Sequence, residues 1–507
     1  MFENILNSFI STLFYSRQRQ WKRYVSEPEA VQAEQFRFLT SRGAQTGYGR
    51  HYGMFAGIDY KEFARRLPLT TYARLHPYIQ RMQAGEKDVL WPGQVRYYAQ
   101  SSGTTSTRSK YIPVPDEMLD DNHFRGGKDM ILNYLSHYPD SKFLLGKALK
   151  LGGTTRRDRQ KNIIIGDLSG IMIDRLPFWA QFRSVPSEEI SLLPDWTEKI
   201  DRIKREVTRE DVRAMVGIPT WFLKLLTGVL EMTGKKTLAG IWPNLEVFFH
   251  GGISFTPYRA QFDRLIGKPD MRYMEVYNAS EGFFALQNEP KTRDLLLMLD
   301  YRIFYEFIPM KDFRGTDSTR VLPLEEVKTG EDYALVISSA SGLWRYIVGD
   351  TVRFTSLRPY KLVITGRTKH FLNIVGEEVM VHNTDAALQR VCERYGVHSI
   401  DYTVSAVPPG PEGPGYHEWL VEFDRAPENT AAFARDLDDV LRELNSDYDI
   451  KRTKNISLSP LRLHIASPGL FDRWMARRNK LGGQHKVPRL SADRQYLEEL
   501  LQMNGQS

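Results

Sequence analysis

Residues 20 to 90 carry apolar positions at helical spacing. Turn and cap signals surround Pro68 and Pro77 in PLTTYARLHPYIQRM, which predicts a mainly helical opening region. From about residue 95 the pattern becomes mixed. The short apolar runs KNIIIGD (161–167), LEVFFHGG (245–252), MRYMEVYNASEG (271–282) and YALVISSASG (333–342) each end in glycine or small polar residues. Helical stretches such as DWTEKIDRIKREV and PTWFLKLLTGVLEM lie between some of them. Strands alternating with helices predict an α/β domain whose sites lie at the carboxyl ends of strands. Around 361 to 376, YKLVITGRTKHFLNIVG reads as two short strands flanking a Gly-Arg-Thr-Lys turn. Beyond it a smaller alternation begins: a helix over 382–395, strand IDYTVSAV, a Pro/Gly loop (408–415) and strand EWLVEFD. A helix near 428–445, strand LRLHIA and helix GLFDRWMARRN complete it, which predicts a separate α+β domain and a division into 1–366 and 367–507.

Length agrees with that division, since 507 residues are too many for one ordinary core. A single cysteine, Cys392, excludes an internal disulfide framework and a zinc site built on several thiolates, and it suits a reducing compartment. The opening MFENILNSFISTLFYSRQRQWKR places Glu3 before a short apolar stretch and basic residues after it. That is the reverse of a secretory signal and predicts an amphipathic first helix. No run reaches the roughly 18 apolar residues that cross a bilayer, so a cytoplasmic chain is expected. The net charge of +7 comes without a long basic block interleaved with aromatics, so nucleic acid is not an expected partner. The same balance serves nucleotide phosphates or an acidic small substrate.

Candidate chemistry gathers in YAQSSGTTSTRSKYIPV (98–114). One reading is a solvated loop of ordinary loop residues. The other is a phosphate cradle, in which glycine admits an anion, hydroxyls and backbone N–H groups donate, and Lys110 adds charge. It is not a Walker A loop, because G-x-x-x-x-G-K-[ST] is absent. Gly252-Ile253-Ser254-Phe255-Thr256 lacks the second glycine of a nucleophile elbow, and His417-Glu418 has Val421 where a zincin needs histidine. Three further segments stand out: Tyr277-Asn278-Ala279-Ser280-Glu281-Gly282, Trp344 to Asp350, and Gly366-Arg367-Thr368-Lys369. Tyr277 could stack on a base, Ser280 bind a phosphate oxygen and Glu281 hold Mg²⁺, or the stretch is a plain strand end. Asp350 is a turn residue or an acceptor for ribose hydroxyls.

The order SSGTT…K, Y-x-x-S-E-G, R-Y-x-V-G-D, G-R-x-K resembles the adenylate-forming superfamily of acyl-CoA synthetases, luciferases and nonribosomal adenylation domains. PYIQRMQAGEKDVLWPG, SKYIPV, GIPTWFLKLL, WPNLEVFFHGG and GGQHKVPRL bring it closer to the auxin-responsive Gretchen Hagen family of acyl-acid amido synthetases, over about residues 47 to 490. The resemblance implies a large N-terminal adenylate-forming domain with mixed sheets and helices, and a smaller mobile C-terminal domain. It implies ATP and Mg²⁺ as cofactors, with a carboxylic acid and an amino acid as partners; a monomer is expected. Ser101, Ser102, Gly103, Thr104, Thr105 and Lys110 match the phosphate loop, and Gly251 and Gly252 the residues against adenine. Tyr277 and Ser280 match adenylate-binding positions, and Glu281 the Mg²⁺ ligand. Asp350 and Arg367 match the ribose pair, Lys369 the hinge and Lys486 the lysine that reaches the carboxylate and α-phosphate. Two departures stand beside these matches: Ser106-Thr107-Arg108-Ser109 replaces the glycine-rich half of the loop, and Asn278-Ala279 replaces a smaller or hydroxylated pair. Trp221, Phe222 and Leu225, with Phe124 and Met130, are candidates for an aromatic-lined acyl pocket or for plain core. An acyl- or aryl-CoA ligase and a non-catalytic nucleotide-binding relative are the alternative readings.

Overall fold

The computed structural model describes the chain except residues 1–16, 18, 102–109, 177, 194, 253–254, 256–257, 369–370, 373–376, 378, 409–413, 453–457, 479–486, 492–493 and 506–507. Most of the expected amphipathic first helix, residues 1–16, therefore lies outside the described residues. The opening region is helical, as its periodicity predicts. Its main helix, Pro28–Gly43, begins on a proline and buries Val31, Phe36 and Leu39. Phe36 meets Phe63 and Phe304 with ring centroids 5.1 and 4.9 Å apart, which ties this helix to the sheet.

Two of the apolar runs, LEVFFHGG and MRYMEVYNASEG, become neighbouring parallel strands of the large sheet; YALVISSASG joins the same sheet in an antiparallel pair and KNIIIGD enters a second sheet. Ser184–Val185, Lys147–Lys150, Val212–Gly217, Val247–Gly251 and Arg272–Ala279 lie side by side in that order. Helices Trp196–Val207 and Pro219–Thr233 are among the connections. Leu149, Met215, Phe248 and Tyr273 stand in register on one face, packed with Phe222, Leu225 and Phe262. Ala148, Ala214 and Val247 stand in register on the other, in a cluster with Tyr134, Phe143 and Phe249. Burial on both faces explains why these strands read as continuous apolar runs. The sheet continues through antiparallel strands, Gly282–Leu286 beside Arg272–Ala279 and Ile303–Pro309 beside Asp332–Ser339, to twelve among the described residues. A second, four-stranded sheet sets the hairpin Tyr97–Ser101/Lys110–Val114 against Ile163–Gly166 and Thr155–Asp158.

Two compact units divide the chain: residues 1–348 with 353–363, and 349–352 with 364–507. The second has a four-stranded sheet of Arg462–Ile465, Tyr416–Phe423, Ser399–Val407 and Leu490–Ser491, with helices Val381–Tyr395 and Thr430–Leu444 packed on its core. Two further helices there, Ser446–Arg452 and Gln495–Asn504, lie beyond the elements expected from the sequence. SDYDIKR has too few apolar residues for a stripe. Its helix is held by charge, since Arg452 Nη2 donates to Asp438 at 2.6 Å and Tyr448 Oη to the same carboxylate at 2.7 Å. Among the described residues no helix is long and apolar enough to cross a membrane.

Candidate active site

The parallel strands Val247–Gly251 and Arg272–Ala279 end side by side, with Gly251 opposite Val276. A Cβ on Gly251 would lie 2.4 Å from the Val276 carbonyl oxygen, so only glycine admits this approach. Gly252 follows at φ +80°. Ala279 pairs with Gly282, which makes Ser280 and Glu281 the two tip residues of a tight antiparallel turn. Such tips are ordinarily solvated. Here Ser280 is 5 % and Glu281 7 % exposed. Tyr277 is equally enclosed, its ring 4.8 Å from that of Phe284. On the two adjoining strands, Asn278 Oδ1 and His250 Nδ1 are buried without a hydrogen-bond partner among the described residues. Orphaned polar atoms beside a bare glycine backbone are what a polar, flat ligand such as a nucleotide would satisfy. Burial pushes the His250 imidazole down to about 3, so it is neutral there. Among the described residues no group of three or more His, Cys, Asp or Glu converges as a metal cage. A single carboxylate suits Mg²⁺, which is commonly held by one or two carboxylates together with substrate phosphates.

Ser101 and Lys110 are paired Cα partners on adjacent antiparallel strands. Ser102, Gly103, Thr104 and Thr105 lie outside the described residues, as do Lys369 and Lys486. Lys110 Nζ donates to Tyr346 Oη at 3.5 Å. In the second unit, the strands Tyr346–Leu357 and Tyr360–Arg367 bring Asp350 and Arg367 together. Arg367 Nε donates to Asp350 Oδ1 at 2.9 Å. The backbone beside them is fixed by Thr368 N–H donating to Gly349 O at 2.8 Å.

Comparison with known proteins bears on this arrangement. The GH3 family N-terminal domain matches residues 17–271, the GH3 family central domain 296–367 and the GH3 family C-terminal domain 382–495. The chain belongs to the GH3 family. A relative named indole-3-acetic acid-amido synthetase GH3.3, from Arabidopsis thaliana, is 25% identical over 90% of this chain and 89% of its own. A solved structure of the GH3.15 acyl acid amido synthetase superposes with a TM-score of 0.78 at 19% identity, over 99% of this chain and 96% of that one. The 2-hydroxyisobutyryl-CoA ligase in its postadenylation state does so at 0.58 and 13%, over 96% and 94%. At these identities the two structures show the fold, which is the adenylate-forming one.

In this GH3 family chain the acyl-pocket candidates do not converge. Trp221, Phe222 and Leu225 stand in the cluster on one face of the parallel sheet, and Met130 packs on the cluster of the other. Phe222 and Leu225 are fully buried core. Phe124 ends a π-helical turn, Leu119–Phe124, that the periodicity does not announce. That turn carries two polar residues the sequence reading passed over. Asn122, fully buried, accepts from Phe283 N–H at 2.7 Å and donates to Tyr301 O at 2.9 Å. His123 beside it is buried next to Asn278 and pushed down to about 4 by loss of water. Asn-His at the start of an amphipathic helix, directly downstream of the hydroxyl-rich loop, was the available signal. π-turns are frequent at functional sites.

Proposed function

We propose that this chain is an ATP-dependent acyl-acid amido synthetase. It activates a carboxylic acid as the acyl-adenylate, releases pyrophosphate, and passes the acyl group to the amine of an amino acid. The observation that carries the proposal is the buried Ser280–Glu281 turn beside Gly251 and Gly252, at the carboxyl ends of parallel strands in a GH3 family chain. A carboxylate is a poor electrophile; attack on the α-phosphate of ATP converts it to an acyl group with AMP as a good leaving group. No protein nucleophile is required. What the step needs is positioning and neutralisation of crowded negative charge.

In this reading the bare backbone of Gly251 and Gly252 lies against adenine, Tyr277 and Ser280 hold the adenylate, and Asp350 accepts from the ribose hydroxyls with Arg367 fixing its direction. Ser101 to Thr105 and Lys110 hold the phosphates. Glu281 is the residue that would hold Mg²⁺, which supplies positive charge against the phosphates. Lys486 reaches the carboxylate and α-phosphate. Lys369 lies at the hinge of a mobile domain, residues 367–507. A cytoplasmic, monomeric enzyme completes the proposal. The test is acid-dependent pyrophosphate release over a panel of aryl and alkyl acids with ATP and Mg²⁺. Amino acids or coenzyme A are then offered, and the product is read by mass spectrometry. An amide supports the reading and a thioester without amide replaces it with a CoA ligase. Absence of acid-dependent release with every acid leaves a nucleotide-binding relative.

A further inference from the structure

The turn that carries Ser280 and Glu281 is closed by two cross-strand pairs, Ala279 with Gly282 and, behind it, Asn278 with Phe283. On the other side of that strand, Leu295–Leu297 pairs with Ala285 and Leu286 and, among the described residues, stops short of Phe283. The side chain of Asn122 stands there instead. Its Oδ1 accepts from Phe283 N–H at 2.7 Å and its Nδ2 donates to Phe283 O at 3.2 Å. One amide thus meets both the donor and the acceptor of a residue, as a neighbouring strand would. The same Nδ2 donates to Tyr301 O at 2.9 Å.

Packing repeats the contact along the helix. A Cβ on Gly282 would lie 3.1 Å from Met118 Cε, and a Cβ on Gly126 would lie 2.5 Å from the Phe283 ring. Met118, Asn122 and Gly126 follow at intervals of four and form one face against Gly282 and Phe283. His123, next in the π-helical turn Leu119–Phe124, is buried beside Asn278. Two successive side chains therefore meet both members of the Asn278–Phe283 pair. Asn122 is fully buried, and an apolar residue would fill its place without desolvating an amide. What the amide adds is direction.

We propose that Asn122 is the positioning residue of the Ser280–Glu281 turn: it fixes the backbone of Phe283 and, through it, the direction of the Glu281 carboxylate. The inference rests on the proposed function only for what the turn serves, a nucleotide with Mg²⁺.

The first measurement needs no ligand. Asn122→Leu, close in volume, removes the hydrogen bonds, and hydrogen exchange is followed by peptide mass spectrometry on the full chain. Exchange is expected to quicken across residues 277–286, by about tenfold at the Phe283 amide, the size of one lost hydrogen bond. Strand Tyr416–Phe423 of the second unit is expected to be unchanged. Wild-type exchange over 277–286, or an equal rise in Tyr416–Phe423, overturns the clasp. The second measurement is calorimetric titration with ATP, in Mg²⁺ and in EDTA. The variant is expected to bind ATP in EDTA as wild type does, and to need about tenfold more Mg²⁺ to reach half of the metal's effect. Equal weakening with and without Mg²⁺, or an unaltered Mg²⁺ requirement, overturns the positioning of Glu281. If wild type itself binds no ATP, the amido synthetase reading falls and the exchange result still decides the clasp. Where the leucine variant does not fold, Asn122→Ser, whose hydroxyl is too short to span both groups of Phe283, carries both measurements with the same outcomes.

Discussion

In the proposed site Asp350 accepts from the ribose hydroxyls, and Arg367 Nε donates to its Oδ1 at 2.9 Å. Asp350→Ala is expected to weaken ATP binding by on the order of 1.5–3 kcal/mol for each lost hydroxyl bond, measured by calorimetric titration; an unchanged affinity removes Asp350 from the site. Glu275, two residues before Tyr277 on the same side of its strand, gives a different signal. Burial raises its carboxyl from 4.5 to about 7, only partly offset by the Arg293 charge. Between those values the unfolded chain has released the proton and the folded one keeps it. Stability is therefore complete below about pH 4.5, falls by roughly 1.4 kcal/mol per pH unit as pH rises to about 7, and is flat above. Glu275→Gln is expected to match wild type in melting temperature at pH 4 and to exceed it at pH 8. The residues proposed for the site, Glu281 and Asp350 among them, stand out in the sequence because their order along the chain resembles that of a known family. His123 does not stand out in the same way, because only its burial distinguishes it from any other His.

Among elements, the strands and long helices follow from alternation and helical spacing. The hairpin tip at Ser280–Glu281 follows from Ala279 pairing with Gly282, which a sequence cannot reveal. The acyl-pocket candidates illustrate the limit. GIPTWFLKLL is apolar enough to line a slot, yet Phe222 and Leu225 are used up in packing against Phe248 and its neighbours. Arg345 belongs to a motif and its role in the fold is structural. At φ +44°, it donates through Nε and Nη2 to fully buried Glu306, and through Nη1 to Ala64 O and Leu67 O at 2.9 Å each. It thereby pins the end of helix Tyr60–Arg66 to strand Ile303–Pro309. Glu306→Ala is expected to destabilise the protein by about 3–5 kcal/mol in urea unfolding, because it strands a buried guanidinium. A loss below about 1 kcal/mol would mean that the pair is solvated in practice.

At the scale of the molecule, the proposed reaction assigns its two halves to different residues. Lys486→Ala is expected to lower acid-dependent pyrophosphate release by roughly 10²–10³, the size of one preorganised donor to developing charge, and to leave aminolysis of a supplied acyl-adenylate nearly intact. Equal loss in both assays would contradict that assignment. The α/β organisation and a smaller α+β segment were legible from the change in period, with the division expected at 366/367. The lending of 349–352 to the second unit was not, since it depends on which strand residues touch. That short loan has a consequence for recombination. A crossover near residue 364, in evolution or in the laboratory, would import a foreign Arg367 and Thr365 while Asp350 and Thr351 stayed behind, breaking the 2.9 Å ion pair and the 3.0 Å Thr365–Thr351 hydrogen bond together. Exchange of the C-terminal unit between homologues therefore requires two grafts, the second only four residues long (349–352), and lineages of this fold should inherit the two pieces as one.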